Sequence, residues 1–99
     1  MDSKILSNII NHIKDEDLKK KILSLSTEEV KVLEYFIQNI SVGTLVAIRE
    51  LKFLHRINDP KAVIRKLIEK GLVEQGYGCY SLSKTLRDVL YSIIASSKE

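Results

Sequence analysis

A chain of 99 residues, 44% apolar and 29% charged, suits one compact domain and leaves no room for a catalytic domain beside a separate binding domain. Its net charge of +3, from 16 basic and 13 acidic residues, is too mild to name a class of partner. The lone cysteine, Cys79, excludes an intrachain disulfide and a thiolate metal cluster, which leads us to expect a reducing, cytoplasmic setting.

The opening stretch "MDSKILSNIINHIKDEDLKK" is broken by polar side chains at every turn, so neither a signal segment nor a membrane span is expected there. Ile5, Leu6, Ile9, Ile10 and Ile13 share one helical stripe. Leu18, Ile22 and Leu25 fall on a different face if that helix continues straight. A break near "KDED" therefore predicts two short helices, the second capped by Asp15 or Asp17. In "STEEVKVLEYFIQNI", Ser26 and Glu29 have the spacing of a capping box. Val30, Leu33, Ile37 and Ile40 form the expected core stripe of that helix, widened by Val32 and Phe36. It breaks at Ser41–Thr44, which is read as a short strand or a loop.

"LVAIRELKFLHRI" follows, with Leu45, Ile48, Leu51 and Leu54 assigned to one inward face. Asp59 then caps a helix with Pro60 at its first position, where a missing N–H costs nothing. This helix turns Ile64, Leu67, Ile68 and Val63 inward and stops at Gly71, a natural left-handed position. "LVEQ" and "CYSLS" alternate as strands, with Tyr80 and Leu82 on one face and "GYG" as the turn. Ser83 caps a last helix, striped by Leu86, Val89, Leu90, Ile93 and Ile94, and the tail "SSKE" is expected to fray.

The stretch "IRELKFLHRINDPKAVIRKLIEKGLVEQGYGCYSLS", Ile48 to Ser83, resembles the winged helix-turn-helix family, especially its MarR/ArsR-like bacterial and archaeal branches. Leu51 matches the core leucine of the first helix, "INDP" the turn, "AVIRKLIEKGLV" the recognition-type helix and "CYSLS" the second wing strand. The resemblance implies a mostly α fold with a small β-hairpin. It would be one winged-helix domain over residues 1–99, with a core at 27–83, an N-terminal helical extension at 3–25 and a C-terminal helix at 84–97. It also implies a homodimer built through the terminal helices.

Arg56 to Gly71 holds five bases and two acids, an excess equal to that of the whole chain, as expected of a phosphate-facing element. On duplex DNA, Arg65 would reach a guanine edge, Lys61 and Lys66 would meet phosphates, and Lys52, Arg56 and Asn58 would touch the backbone. Tyr77, at the wing tip, would stack on a sugar or base. Asp59 and Glu69 oppose this, and the wing has no Lys or Arg. The first expectation is a DNA-binding regulator or a small chromatin- or replication-associated factor. The alternative is a protein-binding winged helix, an accessory subunit of a DNA polymerase or other nucleic-acid machinery, with Tyr77 and the uncharged wing against the partner. His12 and His55 are not spaced with other metal ligands, and no phosphate loop, nucleophile elbow or acid–base pair is present, so neither catalysis nor a cofactor is expected.

Overall fold

The computed structural model describes residues 4–96, with the side chains of 4, 5 and 96 outside the description. The expectations for the Ile5 side chain and the frayed tail fall outside it. The elements are α1 (Lys4–His12), α2 (Glu16–Leu23), α3 (Thr27–Gln38), β1 (Ser41–Gly43), α4 (Thr44–Phe53), α5 (Pro60–Glu69), β2 (Val73–Gln75), β3 (Cys79–Leu82) and α6 (Lys84–Ser96).

Local chemistry sets most of the boundaries. The Asp15 carboxylate accepts from the Asp17 N–H at 3.0 Å and starts α2. Ser26 and Glu29 close a reciprocal capping box at the start of α3. Asp59 accepts from the Ala62 N–H with Pro60 at the first turn of α5. At the other end of α5, Gly71 has φ 76, the Leu72 N–H donates to the Leu67 carbonyl and the Gly71 N–H to the Ile68 carbonyl. That pair of bonds is a Schellman closure, which suits glycine because it has no Cβ. Ser83 accepts from the Leu86 N–H and opens α6.

The expected hairpin of β2 and β3 gains a third strand. β1 pairs antiparallel with the far edge of β3, Val42 opposite Tyr80, giving the order β1-β3-β2. Tyr80 and Leu82 point from β3 into a core of Val32, Leu33 and Phe36 from α3, Leu51 from α4, and Ile64 and Leu67 from α5. The α3 stripe is thus centred on Val32, Leu33, Phe36 and Ile37, while Val30 and Ile40 are only half-buried at its edge. The result is a mostly α winged helix: α4 and α5 form the helix-turn-helix, and β2 and β3 the wing.

α1 packs against α6 within the chain and buries Leu6, Ile9 and Ile13. α1 thus covers part of the terminal-helix surface through which the resemblance implies a homodimer, while Tyr91 and Ile94 of α6 remain exposed. Among the described residues no helix is long and apolar enough to cross a membrane.

Two polar contacts tie the helices together. The Tyr35 hydroxyl donates to Glu50 Oε1 at 2.6 Å, joining α3 to α4; burial, then this carboxylate, pushes the phenol pKa far above its usual value and keeps it a donor. Glu29 is buried and meets Lys70 Nζ at 3.3 Å, joining α3 to the end of α5. Its pKa is lowered, first by the Ser26 N–H and also by Lys70, against the opposing effect of burial. A depressed carboxylate contributes stability above its unfolded pKa, and that contribution disappears as the pH falls through the folded value. Glu29→Gln keeps an acceptor for Ser26 but loses the ion pair. It is expected to cost about 1–2 kcal/mol at neutral pH. Denaturant melts should show the gap to the parent closing once the medium is more acidic than the ordinary glutamate range; a gap independent of pH would contradict this role.

Candidate nucleic-acid and protein interface

α5 displays Lys61, Arg65 and Lys66 outward because Val63, Ile64 and Leu67 occupy its buried side. Lys61 and Arg65 lie one turn apart on the wall of a shallow groove of about 290 Å³ between α5 and the wing. Ile64, Ile68, Gln75 and Tyr80 complete the groove. Lys66 projects from the same helix, rotated away from this wall. Lys52 lies in the last turn of α4, and Arg56 and Asn58 lie in the turn between the helices; all three are exposed. Among the described residues, ion pairs engage Lys19, Lys70, Lys84 and Arg87, and none engages Lys52, Arg56, Lys61, Arg65 or Lys66. Their charges are free for an external anion. Asp59 is occupied in part by capping α5.

The wing closes through the Gly76 N–H donating to the Cys79 carbonyl at 2.8 Å. Gly78, at φ 72, supplies the left-handed residue of the turn, and its carbonyl accepts from the Thr44 N–H, anchoring the wing to the start of α4. Between the two glycines Tyr77 is fully exposed at the tip. All seven residues singled out from sequence are thus on the surface, Tyr77 on the wing and the other six on α4, α5 and the turn between them.

Arg56 has φ 58, the only non-glycine among the described residues with a positive φ. The Ile57 N–H reaches back across it to the Leu51 carbonyl at 3.0 Å, which reverses the chain into α5 and buries Ile57. An L-residue there costs roughly 1–2 kcal/mol relative to glycine in the folded state, partly offset by the stiffer unfolded chain. Arg56→Gly is accordingly expected to hold or raise the melting temperature while deleting a free guanidinium. A clear drop in the thermal melt would mean that the arginine side chain is structural.

The exposed face of α4 departs from the sequence expectation. Leu45 and Leu54, assigned to the core, are 79% and 71% exposed, and Phe53 is 71% exposed. The buried side of α4 is Ala47 and Leu51, with Ile48 half-buried. Packing against α5 and β1 selects this phase, and it leaves Leu45, Val46 and Phe53 on the outer face with Arg49 and Lys52. Ala47, a small residue, sits where α4 approaches its neighbours most closely, but helical spacing alone does not choose its face over that of Leu45 and Leu54.

The fold defines the chain as a small winged-helix protein. Residues 26–88 match the family model of PolB1 Binding Protein 2. The match spans well over half of the chain, from the cap of α3 into α6, and the chain belongs to that family. The match does not support the MarR/ArsR-like branches in particular; of that resemblance, the structure shows the winged-helix arrangement. No curated protein matches the chain.

Proposed function

We propose that this chain is a non-catalytic accessory subunit that binds a DNA polymerase, PolB1, acting in the cytoplasm as a single winged-helix unit over residues 1–99. The family name supports the choice of partner. The structural observation that carries the reading is the outer surface of the matched region, where large apolar side chains, Leu45 and Phe53 on α4 and Tyr77 on the wing, stand uncovered. Large exposed apolar groups rimmed by polar ones mark protein contacts. The uncharged wing suits the same purpose, because a wing that tracks phosphates needs cations.

A second contact, with duplex DNA, is favoured by one specific observation: the unpaired cations Lys61, Arg65 and Lys66 on α5, backed by Lys52 and Arg56. Asn58 would add a phosphate contact near the turn. In this reading the accessory subunit meets the polymerase with apolar groups and the template duplex with α5. A homodimer through the terminal helices is not needed for it, since α1 and α6 pack on each other within one chain.

A pull-down from extract of the source cells, with and without nuclease, tests the proposal. Recovery of PolB1 in both lanes is the expected result. Recovery only without nuclease would make DNA the sole link, and absence from both lanes would remove the polymerase reading.

A further inference from the structure

We infer that the outer face of α4 is the docking surface for an acidic, apolar-studded segment of PolB1. The inference rests on the polymerase-binding reading and names the surface and the chemistry that reading leaves open. Leu45, Val46, Arg49, Lys52 and Phe53 lie on one side of the helix, opposite Ala47 and Leu51. Leu45 to Phe53 spans about 12 Å along the axis, at 1.5 Å per residue. That length matches roughly two turns of a partner helix or a short extended strand.

The charge on this face has one sign. The carboxylate of α4, Glu50, is turned toward α3, where the Tyr35 hydroxyl holds it at 2.6 Å. Arg49 and Lys52 are exposed and, among the described residues, have no ion pair. Two cations set among three apolar side chains are complementary to a segment that alternates carboxylates with leucine-like or aromatic residues. Phe and Arg are also among the residues enriched at protein interfaces.

Charge also argues against the other occupants. A second copy docked symmetrically on this face would set Arg49 and Lys52 against their own counterparts, and like charges across an interface are costly. Duplex DNA would satisfy the cations but leave Leu45, Val46 and Phe53 against phosphate and water. The free cations Lys61, Arg65 and Lys66 lie on the neighbouring helix, so a polymerase segment on α4 takes up Lys52 and leaves those three open to the duplex.

The test is a binding titration of purified PolB1, free of nucleic acid, with fluorescently labelled protein. Three forms are compared with the parent: Leu45→Ser/Phe53→Ser, Arg49→Glu/Lys52→Glu and, as a control on α2, Lys20→Glu. All the changed side chains are exposed, so each variant should keep its circular dichroism spectrum and melt. The expected result is at least a tenfold weaker complex for each α4 double variant, loss of salt dependence in the charge-reversed one, and parent-like binding by Lys20→Glu. Parent binding with both double variants within twofold of it would overturn the α4 assignment and leave the polymerase reading intact. No binding by the parent would overturn both. Binding of the parent to phosphatidylglycerol vesicles, abolished by the same variants, together with unchanged PolB1 affinity would assign the face to an anionic lipid surface instead.

Discussion

Phe36→Ala is expected to cost about 3–5 kcal/mol, the usual range for removing a fully buried aromatic side chain. Phe36 is 0% exposed at the centre of α3. Its ring meets Tyr35 edge-on at 5.2 Å and Tyr80 of β3 at 6.1 Å. It thereby joins the helical layer to the sheet, among Leu33, Leu51 and Leu82, which are themselves fully buried. A protein of this size has a total stability of only about 5–15 kcal/mol. The melting temperature should fall by at least about 12 °C, at roughly 4–8 °C per kcal/mol. A fall of only a few degrees would mean that α3 and the sheet are not held through this ring. The loss is one of stability alone: at temperatures where the variant remains folded, its surface should bind as the parent's does.

The second large effect concerns α5. Lys61→Ala/Arg65→Ala/Lys66→Ala should sharply weaken duplex DNA binding and flatten its salt dependence. Each phosphate that a cation ceases to neutralise lowers the slope of log K against log salt by about 0.9, so removing all three cations lowers it by up to about 2.7. Arg65 alone should cost roughly 1–3 kcal/mol only if it reads a base edge; otherwise its removal weakens all sequences alike. The three side chains are exposed and, among the described residues, without ion pairs, so the fold should not respond. Tyr77→Ala should matter less to DNA than Arg65→Ala, since Tyr77 carries no charge for a phosphate. Fluorescence anisotropy across a salt series checks both statements. Equal slopes for parent and triple variant would remove α5 from the DNA contact, and a parent without salt-dependent binding would remove DNA altogether.

Features set by neighbours in sequence were legible in it. Asp15, Ser26 with Glu29, Asp59 with Pro60, Gly71 and Ser83 each begin or end an element where their local hydrogen bonding requires it. The alternation of Tyr80 and Leu82 gave the wing its inward face because period two leaves no second choice. The phase of α4 was not legible. This helix is apolar on two sides, and Leu45, Ile48, Leu51 and Leu54 satisfy helical spacing as well as Ala47, Ile48 and Leu51 do. The decision belongs to packing against α5 and β1. The positive φ of Arg56 had no local signature either, since the turn contains no glycine. Stripes on α1 and α6 announced buried faces without saying whether the partner lay in the same chain. The cations singled out from sequence are all exposed, but Arg49 was not among them, and their sequence spacing describes DNA and an acidic protein surface equally well.

The most direct measurement of the central claim is calorimetric titration of the Lys61→Ala/Arg65→Ala/Lys66→Ala variant into purified PolB1 without nucleic acid. An accessory subunit that holds its polymerase by apolar contacts outside α5 predicts a saturable complex of defined stoichiometry, with an affinity close to that of the parent. A complex that forms with the parent only when duplex DNA is added, or that never forms, would contradict it.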